Sequence, residues 1–598
     1  MSIPVRPDRP PVGVPGIPCP PVEAEGQKAP KVVMVVNSPL TRVTASATLA
    51  MVLTLSLLAA LTAAALLPTS VVAAAAPGAP APLVLVYSER TATSGLYSSY
   101  EDTFAAAQAW LSRFFDYEVI SDREVEEGAL LSTTALQAEP GKRQASPYKL
   151  AILPDNAIMS DAEARAWAEF VAAGGKIIAV SSTSLRDEYN VPVTMRLGDL
   201  LGVWWKQWLT AGTYKQLRIT DEESDLAQAL ARAGLPPVIA VEGPAQMVEV
   251  LDHGKQVAVR ANAEGVQSFI FPAAIVESQA GLYFALPVFD PQVLAWPDLQ
   301  RALYAVIRYY VPEAVKKDQA TGEEISFTPL TKRELFARYM PTADMFPPLR
   351  IVDRVPGEVP PARSYRIFPG AYYRKAVSSF DLWTGIEGVI TLPELITDPA
   401  RQDSRGPLDN ASIYMGGNGS GQEIDAGLTW DRNVGGWRPF WRNEKWANAP
   451  LVEDLFVWYP GETVRMSVVV AGPGKLRLTI QDEGPDPKKA FTTVFDAWGF
   501  GPGVRQQFKR VNAIDQVGNE GKPVQPTRAR VTTAIWKEVW LWRGDVKVPF
   551  TPERFTDMRA PNASHFVIKT PASADGEPIG PGAELIEIYG NPADRPEK

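Results

Sequence analysis

The spacing of apolar residues changes once along this chain, near residue 364, and the change demands two kinds of structure. Between 82 and 312, short apolar runs alternate with apolar residues three and four apart. Leu83-Val84-Leu85-Val86-Tyr87 has the unbroken apolar character of a strand buried on both faces. Tyr100, Phe104, Ala107, Leu111 and Phe114 share one face of a helix that Ser99 and Asp102 are suited to start. The strand pattern returns at 117–120, 148–153 and 176–180. Ser160 and Glu163 have capping-box spacing for a helix that ends at Gly174-Gly175. A strand near Val266–Phe271 and a helix over Pro297–Tyr310 close the pattern. Strands alternating with helices predict a parallel sheet covered on both faces.

Beyond 364 the period becomes two. Val464, Met466, Val468 and Val470 oppose Thr463, Arg465 and Ser467, and Leu476, Leu478 and Ile480 oppose Lys475, Arg477 and Thr479. Pro460-Gly461 and Pro473-Gly474 punctuate these strands, and residues 530–542 and 583–589 supply more. This pattern predicts an antiparallel β-sandwich over 364–598. Residues 313–363 read as a linker with a short helix over Thr331–Tyr339. The expected fold class is therefore multidomain, an α/β domain followed by a sandwich.

The N-terminal segment differs again. Residues 1–42 are rich in proline and read as disordered. Residues 48–67 are almost purely apolar, and Val71-Val72-Ala73-Ala74-Ala75-Ala76 has the small-residue pattern of a cleavage site. Residues 43–76 are expected to be a signal peptide or an uncut transmembrane anchor, with Met34 an alternative start. Either places residues 80–598 outside the cytoplasm, with membrane contact only through this segment. A net charge of −9 argues against nucleic acid as a partner.

Two histidines, His253 and His565, and one cysteine, Cys19, exclude a His-Cys zinc cluster, an internal disulfide and a Cys-His dyad. No cofactor or metal site is expected. His253, beside Asp252 and Gly254, reads as a surface hairpin turn.

The stretch YKLAILPDNAIMSDAEARAWAEFVAAGGKIIAVSSTS, with LGDLLGV at 197–203, resembles the class I glutamine-amidotransferase-like fold, which is flavodoxin-like. It more closely resembles the trimerisation domain of family 42 β-galactosidases. The resemblance implies a nucleophilic cysteine on the turn after Lys176–Val180. Here that turn is Ser181-Ser182-Thr183-Ser184, so Ser182 marks a vacant nucleophile position and the domain is expected to be catalytically silent.

In the second half, Ile413–Leu428 together with Phe456-Val457-Trp458-Tyr459-Pro460-Gly461-Glu462 resembles the concanavalin-like jelly roll of the glutamic peptidases. The family's catalytic Gln would fall at Gln422. Its Glu would fall where this chain has Asn512, and a lone Gln cannot activate water without a carboxylate.

Ten tryptophans lie beyond residue 380. The segment WDRNVGGWRPFWRNEKW (430–446) is too polar for one buried strand and is expected to form a binding surface or lid carrying Trp430, Trp437, Trp441 and Trp446. Gln422, Ile424, Ala426, Leu428 and Trp430 fall on one strand face, and Glu423, Asp425 and Thr429 on the other. The pairs Glu423/Asp425 and Asp381/Glu387 suit paired-carboxylate chemistry only if they share a cleft. Asp409, Asp425 and Asp431 carry the oxygens calcium takes, without a D-x-D-x-D-G loop.

The expected function is that of an exported, non-catalytic protein. Its α/β domain would be a scaffold or assembly module, and its Trp-rich sandwich would bind a glycan or extracellular polymer. Two alternatives stay open: a secreted hydrolase (a divergent glutamic peptidase using Gln422, or a glycosidase), and a self-associating structural protein of the cell envelope.

Overall fold

The computed structural model describes residues 81–596, apart from 95, 98, 132–145, 210–213, 222–223, 268–269, 343–344, 404–405 and 485–486. The leader, Cys19 and the apolar segment at 43–76 lie outside the described residues. Among the described residues no helix is long and apolar enough to cross a membrane.

The first sheet has nine strands. Its first half is built from β1 (Leu83–Tyr87), β2 (Glu118–Ser121), β3 (Leu150–Leu153) and β4 (Lys176–Val180). A small separate two-stranded sheet pairs β5 (Val203–Leu209) with a later strand. There follow β6 (Gln216–Ile219), β7 (Val238–Ala240), β8 (Ala245–Val250, the partner of β5), β9 (Lys255–Ala261), β10 (Ala273–Ser278) and β11 (Gly281–Phe284). The order is β2-β1-β3-β4-β11-β10-β9-β6-β7. The neighbours from β2 to β11 run parallel, and those from β11 to β7 run antiparallel.

The fully parallel sheet expected from the sequence is thus corrected to a mixed one. Part of the reason is local: only Gln279 and Ala280 separate β10 from β11, and so short a link permits only antiparallel pairing. Residues 266–271 precede the strand that was expected there, and the pairing begins at Ala273. His253 sits in the turn between β8 and β9, exposed as expected.

Four main helices cover this sheet: α1 (Tyr100–Phe114), α2 (Asp161–Ala172), α3 (Asp225–Arg232) and α4 (Pro297–Tyr310). Alternate residues of β1 serve opposite cores. Leu83 and Leu85 join Trp110 and Phe114 of α1 and Leu303 of α4, whereas Val84 and Val86 join Trp167 and Phe170 of α2. Ser160 caps α2 through the Glu163 N–H, but the reciprocal half of the expected box is missing. The Glu163 side chain turns inward instead and accepts from Trp167 Nε1 at 3.3 Å, and burial raises its carboxyl to about 8.

The connecting segment is pinned to the second half. Thr331 and Glu334 form a capping box, and Tyr339 stacks on Phe491 with ring centres 5.4 Å apart.

The second half consists of two facing sheets. Its main strands are β12 (Ala371–Ser378), β13 (Gly385–Thr391), β14 (Asp409–Gly419), β15 (Gln422–Asp431), β16 (Gly436–Arg442), β17 (Trp446–Asn448), β18 (Thr463–Gly472), β19 (Lys475–Asp482), β20 (Ala490–Asp496), β21 (Gln506–Gln516), β22 (Arg530–Arg543), β23 (Val546–Pro549), β24 (Phe555–Ala560) and β25 (Glu584–Tyr589). A seven-stranded sheet runs β17-β16-β15-β14-β21-β12-β24, antiparallel throughout. The facing ten-stranded sheet is centred on β23-β22-β13-β18-β19-β20, with β25 beside β22.

Ile424, Ala426, Leu428, Ile413 and Met415 from the first sheet meet Met466, Val468, Leu478 and Ile480 from the second, all of them buried. Each strand therefore hides every second residue between the sheets and turns the others to the far side. The space between the sheets also holds a charged cluster. Arg510 and Arg374, both buried, share the carboxylate of Glu584, and Arg510 lies over the Trp536 ring at 5.4 Å.

Candidate binding face on the seven-stranded sheet

The far side of the seven-stranded sheet can be read rung by rung from its register. One rung carries Phe440, Gly427, Tyr414, Val511 and Lys375. A Cβ on Gly427 would lie 2.5 Å from the Tyr414 Cα, so glycine there permits the close approach of β14 and β15. Tyr414 meets Phe440 edge to face with centres 5.9 Å apart, and Phe440 stacks flat against Trp446 at 4.3 Å and 6°. The result is a row of three aromatic rings across four strands. Its outermost member, Trp446, keeps 50% of its surface in solvent.

On one side of this row the next rungs are charged. Lys509 is almost wholly buried and lies 2.5 Å from Glu423 and 2.6 Å from Asp425. Lys375 is 3.2 Å from Glu423, and Arg442 is 3.2 Å from Asp425. Lys509 is the main cause of a Glu423 carboxyl held down at about 2. The Glu423/Asp425 pair thus faces amines rather than a partner acid across a cleft.

On the other side of the row an open cleft of about 390 Å³ is bordered by Trp430, Trp446, Asn410, Thr429, Asp431 and Arg438. Its polar groups are pre-positioned: Asn410 donates to Thr429 Oγ1 at 3.0 Å, and Arg438 reaches Asp431 at 3.2 Å.

Asp515 lies on the same face, where the Ser412 hydroxyl donates to it at 2.5 Å. Burial raises its carboxyl to about 6. A raised carboxyl pKa means that the folded state holds the proton longer than the unfolded chain. Burying Asp515 is therefore without cost below about pH 4 and becomes fully destabilising above about pH 6. Asp515→Asn is expected to match wild type in stability at pH 4 and to exceed it by on the order of 1–2 kcal/mol at pH 8. Urea unfolding at the two pH values checks this, and a difference that stays constant or shrinks would contradict it.

The four tryptophans singled out in the sequence do not form one surface. The segment 430–446 is not a loop or lid but the strand β16 between two tight turns, with Trp446 opening β17. Trp430 and Trp446 border the cleft. Trp437 is corrected to a core residue: it is fully buried, donates from Nε1 to the Pro393 carbonyl at 2.7 Å and packs against Trp430 at 5.5 Å. Trp441 faces the opposite sheet and stacks on Phe491 and Phe495. Period-two alternation sends 437, 439 and 441 inward and 438, 440 and 442 outward, a pattern that the glycines and arginines of the segment obscure.

Gln422 also departs from its expected role. Its amide oxygen accepts from the Gly499 N–H at 3.0 Å, on the side opposite Glu423 and Asp425. Asn512 is buried and accepts from Trp536 Nε1 at 2.9 Å. The two do not form a dyad.

Asp381 is held by Arg543 and Glu387 by Arg465, on different strands. Asp409, Asp425 and Asp431 are each paired with a separate arginine. The aromatic row Tyr414–Phe440–Trp446 escaped sequence reasoning because it joins three strands. Gly427 between the rings was its only trace.

Ser182 stands at the carboxyl end of β4, where its N–H donates to Asp155 at 2.6 Å and its hydroxyl accepts from Gln246 Nε2 at 3.2 Å. The residue with the left-handed backbone that follows the strand is its neighbour Ser181, with φ 50°. Burial raises the Asp155 carboxyl to about 6, and the Ser182 N–H partly offsets it.

No protein-family model and no curated protein matches this chain. Among solved structures it is similar to Scytalido-glutamic peptidase, with 11% identity over 37% of this chain and 98% of that one and a TM-score of 0.26. It is also similar to the β-galactosidase of Bacillus circulans sp. alkalophilus, with 11% identity over 72% of this chain and 41% of that one and a TM-score of 0.27. A third is the β-galactosidase of the haloarchaeon Halorubrum lacusprofundi, with 14% identity over 40% of this chain and 32% of that one and a TM-score of 0.26. The chain spans less than half the length of either β-galactosidase. The resemblance is weak and assigns neither a fold family nor an activity.

Proposed function

We propose that this chain is an exported, non-catalytic binding protein whose seven-stranded sheet recognises a glycan or a similar extracellular polymer. In this reading residues 43–76 direct export, and 82–312 form a flavodoxin-like scaffold related to the amidotransferase-like domains. Residues 313–363 connect it to a concanavalin-like sandwich at 364–598.

One observation carries the proposal. Trp446 offers a half-exposed indole, braced from behind by Phe440, at the rim of a cleft whose other walls combine amide, hydroxyl, carboxylate and guanidinium groups with the apolar side chains of Leu395, Leu408, Trp430 and Val517. An aromatic plane beside fixed donors and acceptors is suited to a ring that has an apolar face and an edge of hydroxyls. The face is open and extends over several strands, which suits a chain-like ligand more than a small enclosed one.

The full chain applied to an oligosaccharide array and to insoluble polysaccharides tests this reading. Retention on at least one neutral polysaccharide is expected, and retention on none would overturn it.

The hydrolase alternative draws on a different observation. Asp515, its proton held up to about pH 6, shares this face with the salt-bridged Asp425. Two carboxyls in unlike environments are the raw material of acid–base catalysis. Cleavage of casein or of an aryl glycoside by wild type, lost in both Asp515→Asn and Asp425→Asn, would favour that reading over simple binding.

A further inference from the structure

We infer that the α/β half carries a second, independent ligand site, a cleft at the carboxyl ends of β1, β3 and β4 that takes a single neutral sugar ring.

The topology puts the cleft where a parallel sheet presents its loops. β1 lies between β2 and β3, so the chain leaves it in opposite directions on its two sides, and a crevice opens beyond the strand ends. Three loops converge there, through Leu96, Tyr97 and Ser99 after β1, Asp155 after β3, and Ser182, Leu185 and Arg186 after β4. The two-stranded sheet of β5 and β8 closes the fourth side with Trp205, Trp208 and Gln246. The space between them measures about 410 Å³.

The floor is fixed by a chain of hydrogen bonds. Trp205 Nε1 donates to Gln246 Oε1 at 2.7 Å, Gln246 Nε2 donates to Ser182 Oγ at 3.2 Å, and the Ser182 N–H donates to Asp155 at 2.6 Å. Arg186 is held by the Tyr97 hydroxyl at 3.1 Å and the Asn190 carbonyl at 2.8 Å. Asp155, Ser181 and Ser184 have φ of 69°, 50° and 63°, a left-handed backbone that non-glycine residues rarely adopt. Three such residues on the loops of one cleft are strain of the kind that persists where it shapes a site.

The lining chooses the ligand class. Among the described residues that line it, the charged side chains are Asp155 and Arg186, of opposite sign, so neither an anion nor a cation gains a net field from them. Ser182 ties the floor together, its oxygen accepting from Gln246 and its side chain hydrogen-bonding to the Asp155 carboxylate. Asp155 accepts and Arg186 donates. Trp208 presents an indole that is 46% exposed, beside Leu96 at 60%. Fixed donors and acceptors under an aromatic wall match a ring with hydroxyl edges and one apolar face. The vacant nucleophile position is thereby a binding floor. This inference uses none of the sandwich residues and does not depend on the reading of that face.

Calorimetric titration of the full chain with the methyl pyranosides of glucose, galactose and mannose tests it, with glucuronate and glucosamine as charged controls. At least one neutral pyranoside is expected to bind in the millimolar range or tighter. Trp208→Ala, which removes a half-exposed ring, and Asp155→Asn are each expected to weaken it about tenfold or more. Trp446→Ala is expected to leave it unchanged. The inference is overturned if no neutral pyranoside binds at about 20 mM, if glucuronate or glucosamine binds more tightly than every neutral ring, or if Trp446→Ala abolishes binding while Trp208→Ala retains it.

Discussion

Trp437→Ala is expected to destabilise the sandwich by about 3–5 kcal/mol, whereas Trp446→Ala, nine residues away, should cost about 1 kcal/mol or less. The two rings share one strand hairpin but not one environment. Trp437 has no exposed surface, spends its N–H on the Pro393 carbonyl and lies across from Trp458, whose backbone it bonds in both directions. Its removal leaves a large cavity lined by Trp430 and an orphaned carbonyl. Trp446 rests on Phe440 with half of its surface already in water, so its loss mainly removes one aromatic contact. Urea unfolding followed by fluorescence separates them. Equal losses for the two variants would contradict the assignment of one to the core and the other to the binding face.

The second large effect concerns the charges between the sheets. Arg510 and Arg374 are both nearly inaccessible, and Glu584 accepts from both, while Asp557, itself partly exposed, is the second carboxylate beside Arg374. Glu584→Ala leaves two guanidinium groups with far too little negative charge in a desolvated space. Removing one partner of a buried pair costs about 3–5 kcal/mol, and that loss is expected here. Replacing Glu584, Arg374 and Arg510 together by apolar residues of similar volume should cost less than Glu584→Ala alone, because no charge is then stranded. Thermal unfolding at neutral pH checks both. A Glu584→Ala protein as stable as wild type would show that water reaches the cluster.

The two halves differ in how far they could be read from residues alone. The alternation at Thr463–Val470 and at Lys475–Gln481 fixed which side chains turn inward, and the sheets pack on those sides. The helix over Pro297–Tyr310, expected as the closing element of the domain it resembles, appears with those bounds. The antiparallel half of the first sheet was missed because a buried strand has the same apolar run whichever way its neighbour points. In the sandwich, Gln422 and Glu423 were rightly placed on opposite faces. Which face is open depends on the other sheet, and a single strand does not encode that. The tryptophans of 430–446 were grouped by their closeness in sequence. Strand geometry then divided them, sending 437 and 441 inward and leaving 446 at the edge. The aromatic row joins rings from three separate strands, and the Lys509 cluster joins strands more than eighty residues apart, so local patterns carry no signal for either.

The central claim is that the outer face of the seven-stranded sheet binds a polymer through the Trp446 platform. The most direct measurement is the dissociation constant of a retained oligosaccharide for wild type and for Trp446→Ala, taken by calorimetry on protein shown by its unfolding curve to be folded. The account predicts that binding weakens about tenfold or more, a change of about 1.4 kcal/mol. An unchanged constant in the folded variant would contradict it.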